Sequence, residues 1–319
     1  MARFLIRRIL QGIVVLWLIT VAVFGLFFVV PNDVARTLAG RQATPETIAL
    51  IQHRLGLDQP VWKQYLDFVW RALHGDLGYD YYHQVPVTHI IAQALPITLS
   101  LAIGASIIWL VLGVFNGVLS ATHPRSLEDR GLTAFSLFFY SMPPFLLGIL
   151  LLYVFYYQLT LRGVTWFPAG GYVPFAQDPT AWFQHMVLPW ITLALLLAAT
   201  YTRLTRASML DVLGEDYIRT ARSKGITERR VIYRHGLRAA LTPVVTQFGI
   251  DLGQLVGGAV VTETVFSLPG LGNTAVDAIT RQDLPVIIGI VLVASAAVVI
   301  ANIVVDVAYA ALDPRVRLH

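Results

Sequence analysis

The chain has 319 residues, of which 56% are hydrophobic and only 13% charged, and its mean hydropathy is +0.66. A soluble domain keeps about 25% of its residues charged, so this composition excludes a water-dressed globule and requires a membrane. The formal charge of +4 does not point to nucleic acid, because the basic residues lie in short clusters between long apolar runs, and the lack of cysteine excludes disulfides, thiolate metal sites and a cysteine nucleophile.

In chain order, six segments reach the roughly 20 mostly apolar residues that a membrane-spanning helix needs: 9–30, 96–121, 132–158, 186–203, 239–262 and 285–311. The first follows Arg3, Arg7 and Arg8. Its apolar run exceeds a signal-peptide core and no small-residue cleavage site directly follows, so it reads as a retained helix. Residues 31–95 mix both signs of charge with apolar residues and read as a small external helical subdomain. Within it, Val61, Trp62, Tyr65, Leu66, Val69 and Trp70 fall near helical spacing. Pro143 and Pro144 interrupt the third span and Pro189 enters the fourth, either as static bends or as gates. Trp166, Phe167, Tyr172, Trp182 and Phe183 fit an aromatic belt at the outer interface.

Orientation follows from Lys and Arg. The N-terminus, the loop near 122–131, the segment 203–238 and the tail together hold sixteen, against seven in the other connections. Cytoplasmic segments carry the excess, so both termini are expected in the cytoplasm. The organisation is a first helix over 1–30, the external subdomain over 31–95, and a five-helix core over 96–319 with a cytoplasmic loop at 204–238.

That loop carries the strongest functional signal. Asp216, Tyr217, Ile218, Arg219, Thr220, Ala221 and Lys224 read as a short helix that starts near Asp216 and ends just before Gly225. Tyr217, Ile218 and Ala221 share one face, and such a helix between two spans suits docking into a partner's groove or contact with anionic lipid.

Inside the membrane, Asp251 is the first candidate for a translocation path; bonding to a neighbouring helix and protonation are the other readings of a charge at that depth. Glu263, at the outer end of the fifth span, faces either a cavity mouth or bulk water. Gly249, Gly253 and Gly257 recur every four residues and make a smooth stripe for helix packing, with a role in a moving pore as the other reading. Asn302 and Asp306 form an i, i+4 polar pair read as a helix-to-helix contact.

Catalytic signatures are absent: no GxxxxGK[ST], HExxH or GxSxG occurs, and Ser208 and His185 fall near opposite ends of one span. The glycine-containing stretch Ser267–Asn273 reads as a surface turn. An intramembrane enzyme is thereby disfavoured, and an ion-gradient-driven secondary transporter is the alternative to the reading that follows.

Arg219-Thr-Ala221, three residues, Gly225 and then Leu237 resemble the EAA loop of membrane subunits of ATP-binding-cassette importers. In the pattern EAA-x3-G-x9-I-x-L-P, an Ile and a Pro would fall where this chain has His235 and Arg238. That departure, followed by Pro243, resembles the dipeptide and oligopeptide permease branch. Leu55-Gly-Leu-Asp-Gln-Pro60 with Tyr65 and Gly75-Asp-Leu-Gly78 is similar to the B-type subunit. Gly257-Gly-Ala-Val-Val-Thr-Glu263 with Phe266, Gly270 and Gly272, and the ending Tyr309-Ala-Ala-Leu-Asp-Pro-Arg315, extend the likeness over nearly the whole chain. The resemblance implies an all-α type I importer permease in a prokaryotic plasma membrane, the inner membrane if there are two. It implies a second homologous membrane subunit, two cytoplasmic ATPases that bind the ATP and Mg, and an external substrate-binding protein. This chain itself would hold no cofactor, catalyse nothing, and contact lipid.

Overall fold

The computed structural model describes residues 2–29, 44–46, 49, 58–256 and 259–312. Gly257, residues 55–57 of the B-type stretch and residues 313–315 of the ending lie outside that set. Helix α1 (Ala2–Phe24) widens into a π-turn at Gly25–Val29, and α2 (Val61–Leu73) follows. Then come α3 (Val87–Thr122), α4 (Leu127–Tyr140) and α5 (Pro144–Leu151), the last extended by a π-helix at Leu152–Gln158 and a turn to Leu161. Helix α6 (Pro179–Leu213) leads to the short α7 (Asp216–Ser223). The π-helix Val231–Gly236 enters α8 (Leu237–Val256), and α9 (Val260–Val265), α10 (Leu271–Arg281) and α11 (Leu284–Leu312) complete the order.

Five of these stretches are long and apolar enough to cross a membrane: Ile6–Phe27, Val87–Thr122, Pro144–Leu161, Pro179–Leu213 and Leu284–Val307. Helix α8 stands where the remaining span is expected. It is long enough, but Arg238, Gln247, Asp251 and Gln254 make it more polar, and it packs against α11, α6 and α3. The single helix expected over 132–158 is instead two. Pro143 disfavours helical backbone at the residue before it, so α4 stops at Tyr140 and a new helix starts with Pro144 in its first turn. Pro189 is absorbed within a continuous α6.

The centre is the parallel pair α3 and α6, pressed together at small residues. A Cβ on Gly113 would lie 2.3 Å from Tyr201 Cβ, and one on Gly117 would lie 2.5 Å from Thr205 Cβ, so only glycine permits this approach. Around the pair gather Leu101, Trp109, Met186, Tyr201, Phe266 and Leu268, all buried. Tryptophan supplies the polar ties as well. Trp182 Nε1 donates to Ser100 Oγ at 3.1 Å and Trp190 Nε1 donates to the Ser100 carbonyl at 2.9 Å. The expected aromatic belt is therefore in part an internal cluster: Trp182 stacks edge-on against Trp190 and Phe175, while Trp166 packs on Phe167 and Phe183.

Helices α3 and α6 both run toward the end of the molecule that carries Arg203, Arg206 and the 214–236 segment, here the basic end. Helix α1 returns antiparallel to α11, where Gly12 meets Val299.

Candidate functional site

At the basic end α7 is a short helix seated on the end of α6. Glu215 occupies the N-cap and Asp216 the first turn, where its charge suits the helix dipole. Lys224 closes it, and Gly225 follows at φ +73°, the left-handed conformation that glycine adopts without strain. The Gly225 amide donates to the Arg222 carbonyl at 2.9 Å, and the Ile226 amide donates to the Ala221 carbonyl at 3.3 Å.

The apolar face expected to point outward divides. Ile218 and Ala221 are buried against Val231, Val212, Leu213 and Ile226. Tyr217 alone of the three stays exposed, beside Asp216, Arg219, Thr220 and Lys224. The physical reason is economy of apolar surface: an eight-residue helix has no stability of its own in water, so it must stand on a core. The outward surface is polar, with Arg219 paired to Asp216, Arg222 paired to Glu228, Lys224 beside them and one aromatic ring.

Near the end of α6 lies a part-buried ion pair that the sequence reading missed. Arg206 of α6 grips Asp129 of α4 with both arms, Nε to Oδ1 at 2.7 Å and Nη2 to Oδ2 at 2.8 Å. Ser120 of α3 donates to the same carboxylate, and the Arg125 amide reaches Oδ2 at 2.9 Å. Arg206, Ser120 and the Arg125 amide hold the Asp129 carboxyl well below the usual carboxylate range against the opposing effect of burial. The available signal was Ser126 three residues before Asp129, a helix N-cap whose Oγ accepts from the Asp129 amide, with Arg inside an otherwise apolar helix elsewhere.

Within the spans, Asp251 is half-buried with both oxygens engaged. Tyr201 Oη donates to Oδ2 at 2.8 Å and Gln247 Nε2 donates to Oδ1 at 2.9 Å. Trp109 and Phe248 pack beside that tyrosine.

Glu263 faces neither cavity nor water in this chain. It is fully buried, accepting from Thr98 Oγ1 at 2.7 Å and from the Asn273 amide at 2.9 Å, while the Leu271 amide donates to Thr98 Oγ1. A Cβ on Gly270 would lie 2.5 Å from its carboxyl carbon. The turn Ser267–Asn273 is thus wrapped on an internal carboxylate, which fills the place an external anion would take.

Gly249 and Gly253 do face α11: a Cβ on Gly249 would come within 2.6 Å of Val305, and one on Gly253 within 3.4 Å of Val298 and 3.7 Å of Asn302. Asp306 pairs with Arg8 of α1 at 3.1 Å, and Asn302 is exposed.

At the opposite end a second acidic cluster ties residues 79–86 to the α10–α11 turn. Asp80 accepts from the Tyr82 and His83 amides and from His83 Nδ1, and Asp283 accepts from the Tyr81 amide at 3.2 Å. Tyr82 Oη donates to the Arg281 carbonyl. Burial and the adjacent Asp80 push the Asp283 carboxyl up to about 6. Burial acts in the same direction on Asp80, but the hydrogen bonds from Asp283, Tyr82 and His83 outweigh it and hold that carboxyl well below the usual range. Below about pH 6 the Asp283 carboxyl therefore holds its proton while Asp80 stays ionised. A carboxyl raised in the fold stabilises fully below its unfolded value of about 4 and loses that contribution as pH rises through about 6. Amide protection at Tyr81 and Tyr82, corrected for intrinsic exchange, is expected to fall between about pH 4 and 6. Asp283→Asn, which has no proton to lose in this range, is expected to flatten that dependence, as hydrogen exchange with mass spectrometry would record.

Comparison with known proteins gives concordant matches. The family described as binding-protein-dependent transport system inner membrane component matches residues 113–318, and its N-terminal companion family matches residues 1–102. A putative peptide transport system permease protein of Brucella abortus (strain 2308) is 41% identical over 317 residues, covering 99% of each chain. The glutathione transport system permease protein of Escherichia coli O6:H1 is 40% identical over 318 residues, again covering 99% of each. Among solved structures, an inward-facing conformation of the MetNI methionine ABC transporter superposes with a TM-score of 0.55 at 19% identity, over 70% of this chain and 96% of that one. At that identity the likeness concerns the fold.

Proposed function

The chain belongs to the family of inner membrane components of binding-protein-dependent transport systems, and on that premise we propose that it is the permease subunit of an ATP-driven importer of di- and oligopeptides. The observation that carries the coupling part of this reading is α7: a capped helix beyond the spans, seated on its own small core, with Tyr217 and basic side chains turned outward. Such a helix transmits movement only if it is stiffly joined to the membrane part, and Ile218, Ala221 and Val231 supply that joint. Closure of a bound ATPase would then swing α6 and its neighbours, and the path would change from inward- to outward-facing.

The remaining parts follow from this role. The basic end is cytoplasmic, two ATPase subunits or domains hold ATP and Mg there, and a second homologous permease subunit completes the path. An external binding protein delivers cargo at the opposite end. The peptide class comes from the relatives named above. Domain by domain, the reading keeps a first helix at 1–30, an external region at 31–95 and a core at 96–319 with the coupling loop at 204–238. Asp251 is the path candidate, held by Tyr201 and Gln247 so that its carboxyl group is fixed in place. Glu263 is assigned to holding the turn at the mouth of the path.

Purification from native membranes in mild detergent, with every co-purifying chain quantified by mass spectrometry, tests the assembly. Recovery of a homologous membrane subunit and ATPase chains, with hydrolysis stimulated by a binding protein, is expected. Recovery of the chain alone would favour ion-coupled transport. Asp251→Asn tests the path separately. Uptake of peptides with an added positive charge is expected to fall more than uptake of neutral ones, and equal uptake of both would remove Asp251 from the path.

A further inference from the structure

Helix α2 has three distinct long sides. Tyr65, Phe68 and Val69 pack on α1, where Tyr65 Oη lies 2.9 Å from Thr20 Oγ1 and Phe24 meets both Tyr65 and Phe68. Lys63, Asp67 and Arg71, at i, i+4 and i+8, form a charged side. Between these two, Trp62, Leu66, Trp70 and Leu73 form a third side that is apolar yet exposed, at 66%, 57%, 65% and 77%. Four large side chains in a row do not remain in water without a partner.

Depth decides which partner. Thr20 and Phe24 belong to the apolar stretch Ile6–Phe27, near the end remote from Arg7 and Arg8, so α2 is fixed at the level where a membrane span leaves the hydrocarbon. The exposed apolar side chains of α1 and its π-turn, among them Trp17, Leu18, Val21 and Leu26, place a lipid-facing surface beside it. The order of the sides then matches a helix lying in the interface plane: protein on one flank, acyl chains under the apolar side, and water over Lys63, Asp67 and Arg71. Tryptophan near each end is what an interfacial anchor uses, since its ring is apolar and its N–H finds carbonyls and water at headgroup depth. Lys63 and Arg71 stand where lipid phosphates would meet them.

We propose that α2 is a membrane-interfacial helix whose Trp62, Leu66, Trp70 and Leu73 side is buried in the lipid leaflet at the end opposite the basic end, pinning the outer half of α1 to the bilayer surface. This gives the helix of the expected external subdomain a place on the membrane surface and rests on membrane embedding alone, whatever the cargo. Burial of such a side about 5–10 Å below the headgroup boundary is the usual depth of an amphipathic anchor.

The chain has no cysteine, so single labels are unambiguous. Leu66→Cys, Trp70→Cys and Lys63→Cys, each carrying a nitroxide, would be placed with the co-purified subunits in bilayer discs of phosphatidylethanolamine and phosphatidylglycerol. Electron paramagnetic resonance then reads collision with dioxygen, which concentrates in acyl chains, and with a water-soluble nickel chelate. Leu66→Cys and Trp70→Cys are expected to be several-fold more accessible to dioxygen than to nickel, with Lys63→Cys reversed. Nickel access at all three sites would mean water and overturn the proposal. Shielding of Leu66→Cys and Trp70→Cys from both reagents would mean a covering protein and overturn it equally. Two independent sites on the apolar side keep the test decisive if one label disturbs folding.

Discussion

Arg206→Ala is expected to cost about 3–5 kcal/mol of stability, because it leaves the Asp129 carboxylate buried with its principal partner gone. Asp129→Ala is expected to cost less, although it removes the same ion pair. The asymmetry comes from exposure: the Asp129 side chain is 6% accessible and Arg206 31%, so a stranded guanidinium can turn toward water and a stranded carboxylate cannot. The pair also joins α3, α4 and α6 at one point, through Ser120, Asp129 and Arg206. Beyond Arg206, α6 continues only to Leu213 before α7 begins. A loosened junction there is expected to reduce transport in proteoliposomes even where the chain still assembles. The pH dependence gives an independent check. A carboxyl held low in the fold stabilises above about pH 4 and loses that contribution as pH falls toward its folded value. The stability gap between parent and Arg206→Ala should therefore narrow in acid, as the orphaned carboxyl takes up a proton. Fluorescence-detected melting of both proteins across pH reads the gap directly, and a constant difference would mean that charge at Asp129 is not what the pair secures.

How much of this could be read from the sequence depends on range. The α7 helix was legible, since a Gly at its end and an acidic residue at its start are signals within a dozen positions. Its buried side was not, because Ile218 and Ala221 meet Val231 only through the chain reversal around Gly225 and Val212 only through the bend at Gly214. The long apolar helices were legible from composition, but not the break in the third, where Ser141 and Pro143 outweigh an apolar run that continues on both sides. Asp251 and Glu263 were found as charges out of place, whereas their partners Tyr201 and Thr98 lie on helices distant in sequence. Neutral hydroxyls in apolar helices give no warning of which acid they meet. The α3–α6 contact shows the same limit: Gly104, Gly113 and Gly117 are visible as small residues, but only the fold shows that Trp190, Tyr201 and Thr205 press on them.

Gly225 offers the sharpest separation of folding from function. It sits at φ +73°, and a Cβ built there meets nothing within 4 Å, so a substitution is opposed by backbone conformation and not by crowding. For an ordinary L-residue that conformation costs about 1–2 kcal/mol, and a β-branched side chain fits it worst. The cost falls on a local equilibrium. If the turn relaxes to negative φ, Ile226 is drawn from beneath Ile218 and α7 changes its angle to α6, while the membrane core has no reason to move. Gly225→Val is therefore expected to reach near-parental abundance and assembly, yet to lose about 5–30-fold in ATP-driven uptake, the factor that one or two kcal/mol represents. Gly225→Ala should fall between Val and the parent. Gly225→Asn should come nearest the parent, since Asn enters the left-handed region most readily after glycine. Uptake and ATP hydrolysis measured together in proteoliposomes distinguish the outcomes. Hydrolysis that continues without transport in the Val variant would place the defect in the link between ATPase and path. Full transport by Gly225→Val at normal abundance would count against the coupling role of α7, because the helix could then be tilted at will without consequence.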